Sequence, residues 1–139
     1  MLILLHPYKF TEFHYMHYEF DFFEKKLCKE IEIHDLSQII NPKWNGAFRL
    51  KRHKKAKKFN SIKEWDAYMK RLVKKNNNIV VFNNLDLNSF KSLVIQNKLS
   101  KYCKKIIKLD DPGQPNYWHE KKQRFIISNY KNKILNVLK

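Results

Sequence analysis

The first 27 residues constrain the fold more than any other stretch of the chain. Met1 to Leu5 is a short apolar run that stops before Pro7, which is typical of a strand buried on both faces. Thr11 is placed to cap a helix, with Phe10 and Tyr15 at the spacing of a hydrophobic staple. Apolar residues then recur at intervals of three and four, which predicts one buried helical stripe: Phe13, Met16, Phe20, Phe23 and Leu27. A strand, a polar turn and an amphipathic helix form the first half of a βαβ unit.

Strand and helix patterns alternate four times along the chain. The predicted strands lie at Met1–Leu5, around Ile31 and Ile33, at Ile79–Phe82 and at Ile106–Leu109. A helix begins at Ser61, where Glu64 completes a capping box. Another begins near Asp86 or Asn88 and is expected to bury Phe90, Leu93 and Val94, and its later residues Leu99 and Tyr102 could extend that face. This alternation predicts a Rossmann-like three-layer α/β/α sandwich with a four-stranded parallel sheet and the first strand in a central position.

The length of 139 residues corresponds to a single domain, residues 1–139. Residues 42–60 contain Pro42, Gly46 and the basic run Arg49–Lys58, which predicts a long basic loop. That run could clasp phosphates or lipid headgroups, although a solvated loop is the simpler interpretation. Residues 115–139 are expected to form a C-terminal helical segment, since Ile127, Tyr130, Ile134 and Leu138 stand at helical spacing.

The polar turns after the first, third and fourth predicted strands should share one edge of the sheet. In parallel sheets ligands bind beyond the carboxyl ends of the strands, so candidate binding residues are Tyr8, Lys9, Asn83 and Asp110. His6, directly after the first strand, is the candidate catalytic residue because an imidazole can orient a hydroxyl or act as a base. It could equally cap the strand end by hydrogen bonding.

Several site classes are excluded or not favoured. Gly46 and Gly113 are the only glycines, and the turn after the first strand has none, which excludes a dinucleotide fingerprint and a P-loop. His14, His17 and Asp21 stand at a spacing that could hold a metal, but a wet helix face is the simpler interpretation. We expect no metal and no cofactor, and no apolar run is long enough to span a membrane.

The formal net charge is +16, which suits a polyanionic partner or an anionic membrane surface. The basic residues are mostly lysine, whereas arginine is the residue preferred for bidentate phosphate and base contacts. We therefore do not favour nucleic acid as the partner. Cys28 and Cys103 are far apart and in no CxxC pattern, which favours reduced thiols in a cytoplasmic protein.

Five segments together carry a resemblance to a known family: LILLHPYKFTEFHYMHYEFDFFEKKL, EIEIHDLSQI, SIKEW, IVVFNNL and IIKLDDPG. They resemble the N-terminal half of bacterial GT-B-type glycosyltransferases of surface polysaccharide biosynthesis. In that group a strand ends in an acidic residue followed by Leu and Ser, and the counterpart here is Asp35-Leu36-Ser37.

The resemblance implies an acceptor-side domain that faces a donor-binding domain across a cleft. Because the chain ends at Lys139, we expect no transferase activity without that second domain or a partner chain, which would hold the nucleotide-sugar donor. The implied partner is a sugar acceptor or a lipid-linked glycan, and the implied location is cytoplasmic or peripheral at the inner face of the membrane. The alternative is a non-enzymatic basic binding or regulatory module, either nucleic-acid-binding or receiver-like. A receiver domain fits poorly, since His6-Pro7 and Asn83-Asn84 stand where its acidic residues should be.

Overall fold

A computed structural model describes residues 1–27, 30–44, 50–86, 89–103 and 105–109. Its centre is a parallel sheet whose five strands are β1 (Leu2–His6), β2 (Ile31–Asp35), β3 (Ala56–Lys58), β4 (Val80–Asn83) and β5 (Lys105–Lys108). The strand order is β3-β2-β1-β4-β5, and every pairing is parallel. The predicted parallel, Rossmann-like α/β fold with a central first strand is therefore confirmed.

Five helices accompany the sheet in the part of the chain that is described. They are α1 (Glu12–His17), α2 (Phe20–Leu27), α3 (Ser37–Ile40), α4 (Ile62–Lys75) and α5 (Phe90–Tyr102), with one 3₁₀ turn at Pro42–Trp44. Thr11 is the N-cap of α1, as predicted. Ser61 is the N-cap of α4, as predicted, and its Oγ accepts from the Glu64 N–H at 3.1 Å. The return bond of the predicted capping box differs, because Glu64 Oε2 accepts from the Asn60 N–H at 2.8 Å and not from that of Ser61.

The alternating side chains of the central strands supply two separate cores. On one face Ile3, Leu5 and Val81 pack with Trp65 and Met69 of α4 and with Ile95 and Leu99 of α5. On the other face Leu2, Leu4, Ile33 and Phe82 pack with Phe10, Tyr15 and Phe20 of the first turn and helices. Because successive strand residues point to opposite faces, an uninterrupted apolar run such as LILL serves both cores.

The sheet has five strands where the sequence predicted four. The missed strand, β3, lies inside the segment 42–60 that was expected to be a basic loop. Ala56 pairs with Ile33 and Lys58 pairs with Asp35, so the neighbouring strand imposes the extended conformation on a local sequence, AKK, that does not favour it.

The predicted first helix is two helices. α1 ends at His17, and Glu19 adopts a left-handed φ of 51° before α2 begins at Phe20. The predicted stripe is wrong at its start: Phe13 is 66% exposed and Met16 is 70% exposed, whereas Tyr15 is buried. In a single helix Phe13 and Phe20 would lie on the same face. Because the helix is interrupted at Glu19, Phe20 can be buried while Phe13 is exposed.

The predicted apolar face of α5 is wrong at its start, whereas the expected burial of Leu99 is confirmed and Tyr102 packs against the core. Phe90 is 79% exposed and Leu93 is 46% exposed, while Ser92, Ile95 and Leu99 are buried. Asp110, Cys28 and the predicted helical segment 115–139 lie outside the described residues. Among the helices that are described, none has the length and apolar character needed to cross a membrane.

Candidate functional site

The strand order reverses between β1 and β4. From β1 the chain adds β2 and β3 on one side, then crosses back to add β4 and β5 on the other. Leu5 pairs with Asn83, so the residues that follow β1 and β4 emerge side by side at the carboxyl edge of the sheet. Such a reversal leaves a crevice between the diverging connections, which is where parallel sheets hold their ligands.

His6 is the last residue of β1 and lies at this reversal. Its ring is 2% exposed, and its Nδ1 lies 2.9 Å from the carbonyl oxygen of Tyr8. A carbonyl oxygen only accepts, so Nδ1 carries the proton and Nε2 has the basic lone pair. The ring centroid lies 5.2 Å from that of Phe10 and 6.2 Å from that of Tyr18, which places the imidazole in an aromatic setting.

A second histidine contacts the first. The ring centroids of His14 and His6 are 4.7 Å apart. His14 Nδ1 accepts from the Thr11 N–H at 3.1 Å and lies 2.9 Å from Thr11 Oγ1, so its proton is on Nε2. The two touching imidazoles are therefore held as opposite tautomers, each fixed by the turn between β1 and α1.

The two asparagines after β4 have different roles. Asn83 is 4% exposed, and its Oδ1 accepts from the Leu85 N–H at 3.1 Å, which shapes the turn. Asn84 donates its backbone N–H to the Leu5 carbonyl at 3.1 Å and its side-chain Nδ2–H to Tyr18 Oη at 2.8 Å. Asn84 thus ties the end of β4 to the segment between α1 and α2.

The predicted site residues are only partly brought together. His6 and Asn83 lie at the ends of adjacent strands, and Tyr8 is 41% exposed close to His6, with ring centroids 6.1 Å apart. Lys9 follows in the same turn and is half-buried, and Asp110 is outside the described residues. We call His6, Tyr8, His14, Tyr18 and Asn84 the carboxyl-edge site. Asn84 belongs to the turn after the third predicted strand, which was expected to line this crevice, whereas His14 and Tyr18 were not predicted to lie there.

The carboxylate of Asp35, at the end of β2, holds the next segment of this edge in place. It is fully buried and accepts from four donors: Phe10 N–H at 3.2 Å, Ser37 N–H at 3.1 Å, Ser37 Oγ–H at 2.5 Å and Arg52 Nε–H at 2.5 Å. Charge-assisted bonds of this kind are the strong class of hydrogen bond. Asp35 therefore joins the turn after β1, the start of α3 and the basic segment.

The basic segment is bound to the domain at three places, which the expectation of a solvated loop did not foresee. Besides the Arg52 contact with Asp35, His53 is buried and stacks on Tyr15 with centroids 4.2 Å apart. Lys55 Nζ lies 2.5 Å from Glu24 Oε2. Burial raises the pKa of Tyr15, and hydrogen bonds to Asp21 and Glu24 raise it further, whereas the one from Lys55 opposes them.

The His14, His17 and Asp21 spacing does not produce a metal centre in the structure. The helix break at Glu19 separates Asp21 from the two histidines, and His17 stacks on Phe13 with centroids 5.9 Å apart. Within the described ranges no group of three or more His, Cys, Asp or Glu residues could hold a metal ion.

A second polar network lies on the opposite face, where β2 meets α4. His34 is fully buried; its Nδ1 accepts from Trp65 Nε1–H at 3.2 Å, and its Nε2 lies 3.2 Å from Glu32 Oε1. Burial lowers the pKa of His34. Burial tends to raise the pKa of Glu32, but hydrogen bonds from His34 and Tyr68 outweigh it, so that pKa is lowered. Burial and the bond to Glu32 raise the pKa of Tyr68.

The sheet order and the reversal at its carboxyl edge define the class of the protein as a Rossmann-like parallel α/β domain. No protein-family model matches the sequence, and comparisons with curated proteins and with solved structures found no match. Chemically, the carboxyl-edge site combines a histidine whose Nε2 can accept a proton, two tyrosines and a side-chain amide. Together with His14, whose Nε2 carries a proton, this set offers hydrogen-bond donors and acceptors beside aromatic rings.

Proposed function

We propose that this chain is the acceptor-side domain of a sugar transferase of surface polysaccharide biosynthesis. The observation that carries the proposal is the position of His6 at the reversal of the sheet, beside Tyr8, Tyr18 and Asn84. The resemblance of the strand-turn-helix segments to GT-B-type glycosyltransferases supports the same assignment. The nucleotide-sugar donor is assigned to a second domain or a partner chain.

In the proposed reaction His6 is the general base. Its Nε2 takes the proton of the acceptor hydroxyl while that oxygen forms a bond to the anomeric carbon of the donor sugar, and the bond from that carbon to the nucleotide diphosphate breaks. The Nδ1–H bond to the Tyr8 carbonyl stabilises the imidazolium that forms. Because His6 is 2% exposed, an acceptor reaches it only after some of the surrounding side chains move; these are Tyr8, Phe10, His14 and Tyr18.

The first test is sugar binding by the chain itself. We expect backbone amide NMR signals of Tyr8, Tyr18 and Asn84 to shift on titration with neutral hexoses or N-acetylhexosamines, with a Kd of about 1 mM for a single sugar. Tyr8→Ala should weaken binding about fivefold, since an aromatic platform contributes about 1 kcal/mol. Phe22→Ala is the matched control, because Phe22 is an exposed aromatic residue on α2.

Two results would contradict the proposal. One is that no sugar of the panel shifts the signals of the carboxyl-edge site. The other is that Tyr8→Ala and Phe22→Ala weaken binding equally, which would mean that the sugars contact exposed aromatic rings without a defined site.

The second candidate function is a non-enzymatic basic binding module. It is favoured by the net charge of +16 and by the exposed lysines of the β3 region, Lys51, Lys54, Lys57 and Lys58. Nucleic-acid binding would give tight retention of an oligonucleotide, with an affinity that falls steeply as salt is added. Negligible retention at low salt would remove this candidate.

A further inference from the structure

A cleft of about 340 Å³ lies between β3 and α4, well away in the fold from the turns that follow β1 and β4. Its α4 wall is one helical face, with Tyr68, Arg71, Leu72 and Lys75 at spacings of three and four. Lys57 of β3 and Phe59, just after β3, form the other wall. The volume falls in the lower part of the range that small-molecule sites occupy, roughly 300 to 1,000 Å³.

The lining of the cleft has a net positive charge. Lys57, Arg71 and Lys75 line it, and the described residues contain no carboxylate in an ion pair with any of these three. One carboxylate, Glu64, is also part of the lining, but its Oε2 accepts from the Asn60 N–H at 2.8 Å in the cap of α4. The lining therefore carries three positive charges and one negative charge, and Lys57 also interacts with the Glu32 carboxylate. The net positive charge favours an anion in the cleft.

The uncharged part of the lining is aromatic and held in place. Phe59 is 1% exposed and packs on Tyr68, with ring centroids 5.4 Å apart. Glu32 fixes the Tyr68 hydroxyl by a hydrogen bond, and Glu30 acts on the same hydroxyl at longer range. Lys57 Nζ lies over the Tyr68 ring, 3.6 Å from its centroid. Lys57 thus covers one face of the Tyr68 ring, and a ligand meets the edge of that ring beside Leu72 and the cations. Because the ring is already held in place, binding does not have to order it.

We propose that this β3–α4 cleft binds an organic phosphate, with the phosphate between Arg71 and Lys75 and a ring-sized body against Tyr68 and Leu72. A guanidinium and ammonium groups together match a phosphomonoester, which carries about two negative charges near neutral pH. A carboxylate ligand would bring only one negative charge to a lining with three cations and one carboxylate. The volume leaves room for a sugar or base beside the phosphate, so inorganic phosphate would use only part of the cleft.

This site is separate from the carboxyl-edge site, and its test does not depend on sugar transfer. The ¹⁵N-labelled chain is titrated with phenyl phosphate, glucose 1-phosphate and AMP at constant ionic strength, with inorganic phosphate, phenol and glucose as comparison ligands. We expect saturable shifts at Lys57, Tyr68, Arg71 and Lys75, with a Kd of about 0.1 to 1 mM for the ring phosphates and about tenfold weaker binding of inorganic phosphate. The ranking of the three ring phosphates distinguishes a sugar phosphate from a nucleotide as the natural class.

A pair of variants with the same change of charge tests the assignment. Arg71→Gln with Lys75→Gln should weaken ring-phosphate binding at least about tenfold, whereas Lys63→Gln with Lys74→Gln should change it less than about twofold. All four side chains are exposed on α4, but Lys63 and Lys74 do not line the cleft. Equal losses in both variants, shifts spread over exposed lysines outside the cleft, or no saturable binding would each overturn the proposal. Saturation here with no sugar binding at Tyr8 would overturn the proposed function alone.

Discussion

Replacement of Asp35 by asparagine should be among the most damaging changes in the described part of the chain. The carboxylate accepts from two donors at each oxygen: Ser37 N–H and Oγ–H at Oδ1, and Phe10 N–H and Arg52 Nε–H at Oδ2. An asparagine keeps one acceptor oxygen and presents N–H groups in place of the other. Two donors at this fully buried position then lose their acceptor.

The magnitude follows from those two lost bonds. A hydrogen bond to a charged group contributes about 1.5 to 3 kcal/mol, so their sum is about 3 to 6 kcal/mol. Arg52 is 27% exposed and can turn towards water, which reduces its share. We therefore expect Asp35→Asn to lower the free energy of unfolding by about 3 to 5 kcal/mol, out of the 5 to 15 kcal/mol typical of a small domain.

Urea unfolding followed by circular dichroism measures this loss. The matched control is Glu12→Gln: Glu12 pairs with His53 at 3.3 Å, but its side chain is 69% exposed. Glu12→Gln should lower the free energy of unfolding by no more than about 1 kcal/mol. A loss below about 1 kcal/mol for Asp35→Asn, equal to that of the control, would refute the view that this carboxylate holds three segments together.

Two further predictions concern the pH dependence of stability. Burial tends to raise the pKa of Asp66, but bonds from Tyr102, Lys70 and Lys98 lower it to about 2, from an ordinary 3.8. The Asp66 carboxylate thus stabilises the fold above pH 3.8. Asp66→Asn should lower the free energy of unfolding by about 1 to 2 kcal/mol at neutral pH. The difference between the two proteins should shrink as the pH falls from 3.8 towards 2. The pKa of His34 is lowered by burial, so the unfolded chain binds that proton first and stability falls as the pH drops below 6.5. Thermal unfolding across this range should show a shallower loss for His34→Gln than for the parent, and parallel curves would contradict the assignment.

The parts of the fold that were predictable are those where local sequence and tertiary structure agree. The run Ile79–Phe82 and the strand at Ile31 and Ile33 consist of buried β-branched residues and one buried aromatic residue, so sequence pattern and environment favour the same conformation. The N-cap at Ser61 is equally local, because donor and acceptor are three residues apart.

The local sequence did not predict the parts of the fold that depend on contacts between distant residues. β3 exists because Ala56 pairs with Ile33, a partner more than 20 residues away. Tyr15 is buried in place of Phe13 because His53 stacks on it, and no helical periodicity contains that contact.

The candidate site also contains residues that the local sequence predicts and residues that it does not. His6 could be proposed because it directly follows a buried strand, but its neighbours Tyr18 and Asn84 are 66 residues apart in the chain and meet through one hydrogen bond. Asp35 was noticeable only as a polar residue at a strand end, and its four donors come from three segments. Side-chain networks between residues far apart in the chain therefore do not follow from local sequence patterns.

The brevity of β3 has a consequence for how molecules of this protein meet one another. A border strand presents unpaired amide and carbonyl groups that invite a strand from a neighbouring molecule. In the described part of the chain this edge strand is only three residues long, Ala56 to Lys58, and two of them are exposed lysines. If a second copy paired with β3, its lysine side chains would lie against those of the first copy, and only a very short ladder would form. The edge of the sheet that carries most of the basic segment therefore also resists self-association.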